Sequence, residues 1–240
     1  MHSPHNVPID SALLRPRPLF HNPKAYLECR EPGGVRGRLK GRGEQRALEK
    51  CLRAVGPIRT VCDVPCGPGR LFDFWKRHEA KVVAFDLAEE MVAAARSCHE
   101  DLALDGEVAK ADAFELVAQM PKRVDLVACV RFAYYFDRDS RVELWRALAD
   151  VSERHILVQF KVSGSLRGKM QSVRRALRPK RRRARRHPRH VLTRQEIEQE
   201  VALAGLRLVR FVRAGMFSNS AYALAEKPAG NVVSATAWAA

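Results

Sequence analysis

Three aspartates and two glycines carry the chemistry this chain advertises. Asp63 falls within the apolar run Thr60-Val61-Cys62-Asp63-Val64, Asp86 ends Lys81-Val82-Val83-Ala84-Phe85, and Asp112 follows Glu107-Val108-Ala109-Lys110. Between the first two lies the turn Pro65-Cys66-Gly67-Pro68-Gly69-Arg70. Glycines at alternate positions after a strand let the backbone approach a ligand that a Cβ atom would hold away. A carboxylate ending the next strand, 23 residues beyond Asp63, is placed to accept both hydroxyls of a ribose. A third at the following strand end can accept an adenine amino group. The set reads as a crevice for a nucleotide-like ligand. The nicotinamide fingerprint GxGxxG is not met, because Arg70, Leu71 and Phe72 follow Gly69 and the third glycine is missing.

These residues need strands and helices in strict alternation to hold them. The sequence predicts a helix from Gly43 to Leu52, stopped by Gly56-Pro57, and strands at 60–64, 81–86, 107–110, 124–130 and 155–160. Helices are expected after the glycine turn (Leu71, Phe72, Phe74, Trp75), at 88–99, around 114–120 and at 140–152. Thr193 with Glu196 forms a capping box ahead of Ile197, Val201 and Leu203, and Gly205 closes that helix. Two apolar runs, 206–212 and 220–225, supply the last strands. The fold class is therefore α/β: a doubly wound, mostly parallel seven-stranded sheet with helices on both faces and an antiparallel last strand.

A chain of 240 residues with 46% hydrophobic content supports one large core. We expect an N-terminal arm over 1–40, partly ordered, a folded domain over 41–227 and a disordered tail over 228–240. The net charge of +16 is concentrated: residues 161–190 contain thirteen Lys and Arg and no Asp or Glu, leaving +3 for the rest. The six cysteines are scattered and read as reduced thiols. Cys62 and Cys66 lack a second ligand pair, so no metal site is expected. Without an apolar run of eighteen residues or a secretory leader, the expectation is a cytoplasmic protein, with peripheral attachment at the inner membrane surface open to it through the basic segment.

The runs VCDVPCGPGR, VVAFDLAEEMVAAAR, AKADAF and VDLVACVRFAYYF together resemble the class I S-adenosylmethionine-dependent methyltransferases, in a DxPCGxG variant where Pro65 replaces the commoner glycine. The resemblance spans roughly residues 40–160 well and continues loosely to about 227. It implies a Rossmann-like methyltransferase fold with S-adenosyl-L-methionine as cofactor. It places Asp63, Pro65, Gly67, Gly69 and Arg70 around the methionine part, with Asp63 near the ammonium. It gives Asp86 the ribose hydroxyls, Leu87 and Met91 the ribose and adenine faces, and Asp112, Ala113 and Phe114 the adenine edge. Cys129, Val130 and Arg131 would face the methionine and the methyl group. Tyr134 and Tyr135, where some relatives carry histidine, are the catalytic candidates, either able to orient or deprotonate an acceptor.

The basic segment joins strand five to the capped helix, and in similar enzymes that connection covers the acceptor. Leu166, Met170, Val173 and Leu177 would line one face of a cationic helix ended by Pro179. The leading expectation is a methyltransferase acting on a small-molecule or lipid-like acceptor. An RNA methyltransferase using 161–190 as an electrostatic arm, and a non-catalytic protein retaining the cofactor fold, are the alternatives. Possible anionic partners for the segment are a membrane surface or RNA.

Overall fold

The computed structural model describes residues 22–30, 35–120, 122–163, 190–215 and 218–228. Seven strands form: β1 (Thr60–Asp63), β2 (Lys81–Asp86), β3 (Gly106–Lys110), β4 (Val124–Cys129), β5 (Ser152–Lys161), β6 (Arg207–Arg213) and β7 (Ser220–Glu226). They make one sheet in the order β3-β2-β1-β4-β5-β7-β6. The first five run parallel, and β7 runs antiparallel to both neighbours. All parallel strands therefore finish at one edge, and chain order reverses between β1 and β4, where α/β sheets open a crevice for ligands.

The sheet is covered on both faces, so its central strands are buried almost throughout while successive side chains point to opposite faces. Cys62, Val127, Cys129, Ile156, Val158 and Phe160 point to one face, with Trp145, Leu148, Ile197 and Val201 packed over them from α5 (Arg138–Asp150) and α6 (Arg194–Leu203). Val61, Val82, Ala84, Leu126, Ala128 and Leu157 point to the other. There α2 (Val35–Leu52), α3 (Phe72–Arg77) and α4 (Glu89–Asp101) contribute Leu48, Phe72, Trp75 and Val92. The remaining helix, α1 (Pro23–Arg30), starts with Asn22 accepting the Ala25 N–H at 2.9 Å and proline at its first position.

The predicted capping box is formed: Thr193 Oγ1 accepts from Glu196 N at 3.2 Å, and Glu196 accepts from Thr193 N at 2.6 Å. Two boundaries differ from expectation. The helix expected from Gly43 begins at Val35, inside the range read as an arm, and Gly43 is where it meets the sheet: a Cβ there would stand 2.3 Å from the Ala214 carbonyl oxygen. Helix α5 starts and stops earlier than read, because Asp137 accepts from Ser140 N at 2.9 Å and β5 takes over at Ser152.

The stripe at Leu166–Leu177 and the arginine run after it lie outside the described residues, as do 1–21 and 229–240. The ends of the basic connection are fixed at the carboxyl end of β5. Leu192 N donates to Lys161 O at 2.8 Å, Ser163 N to Leu192 O at 3.0 Å, and His190 N to Tyr134 O at 2.9 Å.

Candidate functional site

Strand β1 ends buried, so Asp63 is carried into the interior with its last residue. It is 1% exposed, and its Oδ2 accepts from the Trp75 indole N–H at 3.1 Å. Burial pushes its carboxyl up to about 7, against the opposing effects of the Trp75 hydrogen bond and the Arg70 charge. A carboxylate this dry ionises readily only beside a cation.

Pro65 follows through a cis Val64–Pro65 bond, and the chain then turns through Gly67 and Gly69, with φ of 56° and 80°. In that left-handed region glycine is the low-cost residue. A Cβ on Gly69 would sit 2.7 Å from the Phe72 ring. A Cβ on Gly67 would face Tyr26 of α1, 3.8 Å away, so α1 lies over the turn. The Gly67 N–H donates to Asp86 Oδ2 at 2.9 Å, and Asp86 Oδ1 accepts from Ala88 N at 3.0 Å. With these amides on it the carboxylate is held in place at the end of β2, acceptor-only when ionised. Burial raises the Asp86 carboxyl, opposed by the Ala88, Gly67 and Leu87 amides.

Beyond Asp86, Leu87 is 37% exposed, whereas Met91 is 1% exposed and belongs to the packing of α4. Asp112 closes a turn, accepting from Phe114 N at 3.0 Å; Ala113 is buried, and the Phe114 ring meets Phe136 edge-on at 5.3 Å. Asp63, Asp86 and Asp112 thus stand in spatial sequence along β1, β2 and β3, as their order in the sequence implied.

On the other side of the switch, β4 ends in buried Cys129, whose thiol is raised chiefly by burial. Arg131 follows with φ 65°, a non-glycine residue in the left-handed region. It is buried, and its Nη2 donates to Glu44 Oε2 at 2.8 Å; Arg70 Nη1 reaches the same oxygen at 3.3 Å. Burial works against the Arg131 charge, but the charge and hydrogen bond of Glu44 together with Tyr26 and Tyr222 hold the guanidinium above its ordinary value. Tyr134 and Tyr135 form a short 3-10 turn, 0% and 8% exposed, with their rings 4.7 Å apart and Lys161 Nζ 5.3 Å from the Tyr134 ring centre. This turn is anchored from behind: Arg141 Nη1 donates to Phe136 O at 2.5 Å while its Nε and Nη2 grip Glu200.

Sequence reasoning missed Tyr26, Glu44, Trp75, Gln159 and Tyr222 as site members. Two carried a signal. Glu44 heads the stripe Glu44, Ala47, Leu48, Cys51, and Gln159 interrupts the apolar run Ile156-Leu157-Val158-Gln159-Phe160; a polar residue on an otherwise buried face needs a partner.

No group of three or more His, Cys, Asp or Glu side chains among the described residues could hold a metal ion, and no helix among them is long and apolar enough to cross a membrane. Residues 61–154 match a family described as a methyltransferase domain. Among solved structures, the chain is similar to the magnesium protoporphyrin IX methyltransferase of Synechocystis PCC 6803 with bound SAH: 18% identity over 84% of this chain and 92% of that one, TM-score 0.66. It is likewise similar to an S-adenosylmethionine-dependent methyltransferase from Clostridium acetobutylicum ATCC 824, at 15% identity over 84% and 96%, TM-score 0.61. A mitomycin 7-O-methyltransferase aligns at 15% identity over 84% of this chain and 60% of its own, TM-score 0.58. No curated protein matches the chain.

Proposed function

We propose that the chain is a class I, S-adenosylmethionine-dependent methyltransferase that transfers that cofactor's methyl group to a small-molecule acceptor, its residues 61–154 matching a methyltransferase-domain family and its fold similar to solved methyltransferases. The observation that carries this reading is the joint between turn and second strand: Asp86 takes the Gly67 amide with one oxygen and the Ala88 amide with the other. The glycine turn and the ribose-reading carboxylate are thereby built as one unit.

The residues fit the cofactor. Asp63, buried and holding its carboxyl near pH 7, suits an ammonium; Gly67 and Gly69 give a turn free of side chains; Pro65 and Arg70 flank it. Asp86 suits the ribose hydroxyls, Leu87 an apolar ring face, and the Asp112–Phe114 turn the adenine edge. Met91 supports this wall from within α4, and Cys129 and Arg131 close the methionine side. The cofactor supplies a methyl group already activated on a sulfonium, so the protein's share is alignment and exclusion of water.

Acceptor residues come from the β4 and β5 ends. Tyr134 and Tyr135 shape that wall, and the anchored Phe136 carbonyl fixes their turn. The solved methyltransferases similar to this chain include enzymes whose names give a porphyrin and a mitomycin as acceptors, which supports a small molecule.

Isothermal titration with S-adenosylmethionine tests the reading. Binding by the native protein, lost or weakened at least about tenfold in Asp86→Ala, is expected, since a hydrogen-bonded carboxylate contributes about 1.5–3 kcal/mol. Unchanged affinity in that variant would remove the cofactor assignment. Retention of the full chain on RNA or anionic vesicles across a salt series separates the arm-mediated alternatives.

A further inference from the structure

Charge is uneven even outside the basic connection. Residues 35–53, helix α2 and the residue after it, carry seven Lys and Arg against two Glu, and β6 carries three Arg and no acid. Outside these two elements and 161–190, the chain sums to −5. The two elements lie side by side. Gly43 meets the Ala214 carbonyl just past the end of β6, and Cys51, about two turns further along α2, is within electrostatic reach of Arg210. Arg210 shares the α2 side of the sheet, since Leu224, its partner across the ladder, packs into the core beneath that helix.

Ala47, Leu48, Cys51 and Leu52 face inward and are buried, whereas Arg42, Arg46, Lys50 and, just past the helix end, Arg53 are exposed. Steps of four, four and three residues put these cations on one stripe, roughly one per turn. Like charges at that spacing repel. None of the four, nor exposed Arg210, makes an ion pair with an acidic side chain among the described residues. The two glutamates of α2 are engaged elsewhere: Glu44 with Arg131 and Arg70, Glu49 with His78 at 3.2 Å. Arg207 and Arg213, by contrast, are tied to Glu226 and to the Ser163 carbonyl.

We propose that this face, the outer stripe of α2 with Arg210, is a docking surface for an anionic membrane. Its open cations all stand on one side of the domain, and a cluster of this size on a helix is enough to draw a protein to acidic headgroups. Single-stranded nucleic acid would find nothing to stack on, because no aromatic or large apolar side chain is exposed between residues 41 and 53. Duplex readers push a helix into a groove, but α2 lies against the sheet with its apolar side buried. Docking is therefore electrostatic, without insertion into the acyl layer, and salt weakens it. The proposal is independent of which acceptor is methylated.

The test sediments the full chain with vesicles of equal parts phosphatidylserine and phosphatidylcholine, and with phosphatidylcholine vesicles. Arg42→Gln/Arg46→Gln/Lys50→Gln is compared with native protein and with Lys81→Gln/Lys110→Gln/Lys122→Gln, which removes the same charge from β2, β3 and the turn before β4. Native protein should bind the anionic vesicles only. The α2 variant should bind about 100-fold more weakly, each charge near the surface contributing about fivefold, and the second variant less than about fivefold more weakly. Arg53→Gln, beyond the end of the helix, should lose about fivefold without touching the fold of α2. Equal weakening in the two triple variants would mean that net charge alone is sensed, and native-like binding by the α2 variant would mean that another face docks. Either result overturns the proposal, as does native protein that ignores the anionic vesicles. A duplex RNA that strips native protein from the vesicles, and that the same three substitutions release, overturns it in favour of nucleic acid.

Discussion

Cofactor affinity should climb steeply with pH below neutrality, and Asp63 is the reason. Its carboxyl stands at about 7 because it is buried with one indole donor. An ammonium beside it in the complex would favour the ionised form and return it to about 3.8 or lower. Affinity then follows the fraction ionised in the free protein, which is about 1% at pH 5 and about half at pH 7, so binding should be about 50-fold weaker at pH 5. Above about 8 an α-amino group loses its own proton, and affinity should fall again. Titrations in two buffers of different ionisation enthalpy count the protons: about 0.9 should leave at pH 6 on binding. The sign for stability is the opposite of the usual carboxylate case. Because the folded value is raised, the favourable contribution is complete below about pH 4 and is lost as pH rises through 7, by about 4 kcal/mol in total. Asp63→Asn should therefore make the ligand-free protein more stable than the native one at pH 8, while flattening its binding profile. Trp75→Phe, which removes the donor favouring the ionised form, should move the native midpoint to higher pH. Asp86, also raised, remains in both variants, so its share is separated. A native affinity that is level from pH 5 to 7, or a slope that survives in Asp63→Asn, refutes the reasoning.

Gly69→Ala places a Cβ at φ 80° and 2.7 Å from the Phe72 ring; a loss of about 1–3 kcal/mol in urea unfolding is expected, together with weaker nucleoside binding. Stability within about 0.5 kcal/mol of native would show that the turn relaxes freely. Glu200→Gln strips the charge from the buried pair with Arg141, whose Nε and Nη2 contacts measure 2.9 and 2.5 Å. It should cost about 3–5 kcal/mol by the same measurement, and a loss under about 1 would mean the pair contributes little beyond a hydrophobic contact.

How far the site could be read from the sequence depended on whether the interaction was local. Asp63, Asp86 and Asp112 were recognisable because each terminates or follows a short apolar run, and parallel pairing brings such ends together without further information. The capping box at Thr193 and Glu196 is a three-residue device and was read in full. The pairs Glu44–Arg131 and Arg141–Glu200 were not, being 87 and 59 residues apart. Nothing periodic marks a partner across such a distance; only the packing of α2, α5 and α6 selects it. Helix α2 shows the same limit. Its start reads poorly, with Gly37, Gly41 and Gly43 among arginines, and tertiary contact with the end of β6 makes the last of these glycines fit.

The sequence by itself determined the mostly parallel seven-stranded sheet and the strand-end positions of Asp63, Asp86 and Asp112, because alternation, glycine placement and strand-end polarity are all written within a few residues of each other. Tertiary structure decided their state. It buried Asp63 until its proton is held near pH 7, gave Asp86 the Gly67 amide, and sealed Tyr134 into an aromatic layer. It also set Arg131 against Glu44 with one N–H unmet. Desolvation and long-range pairing are properties of the packed interior, and they turn a row of recognisable residues into a site with a charge, a pH range and a preference among ligands.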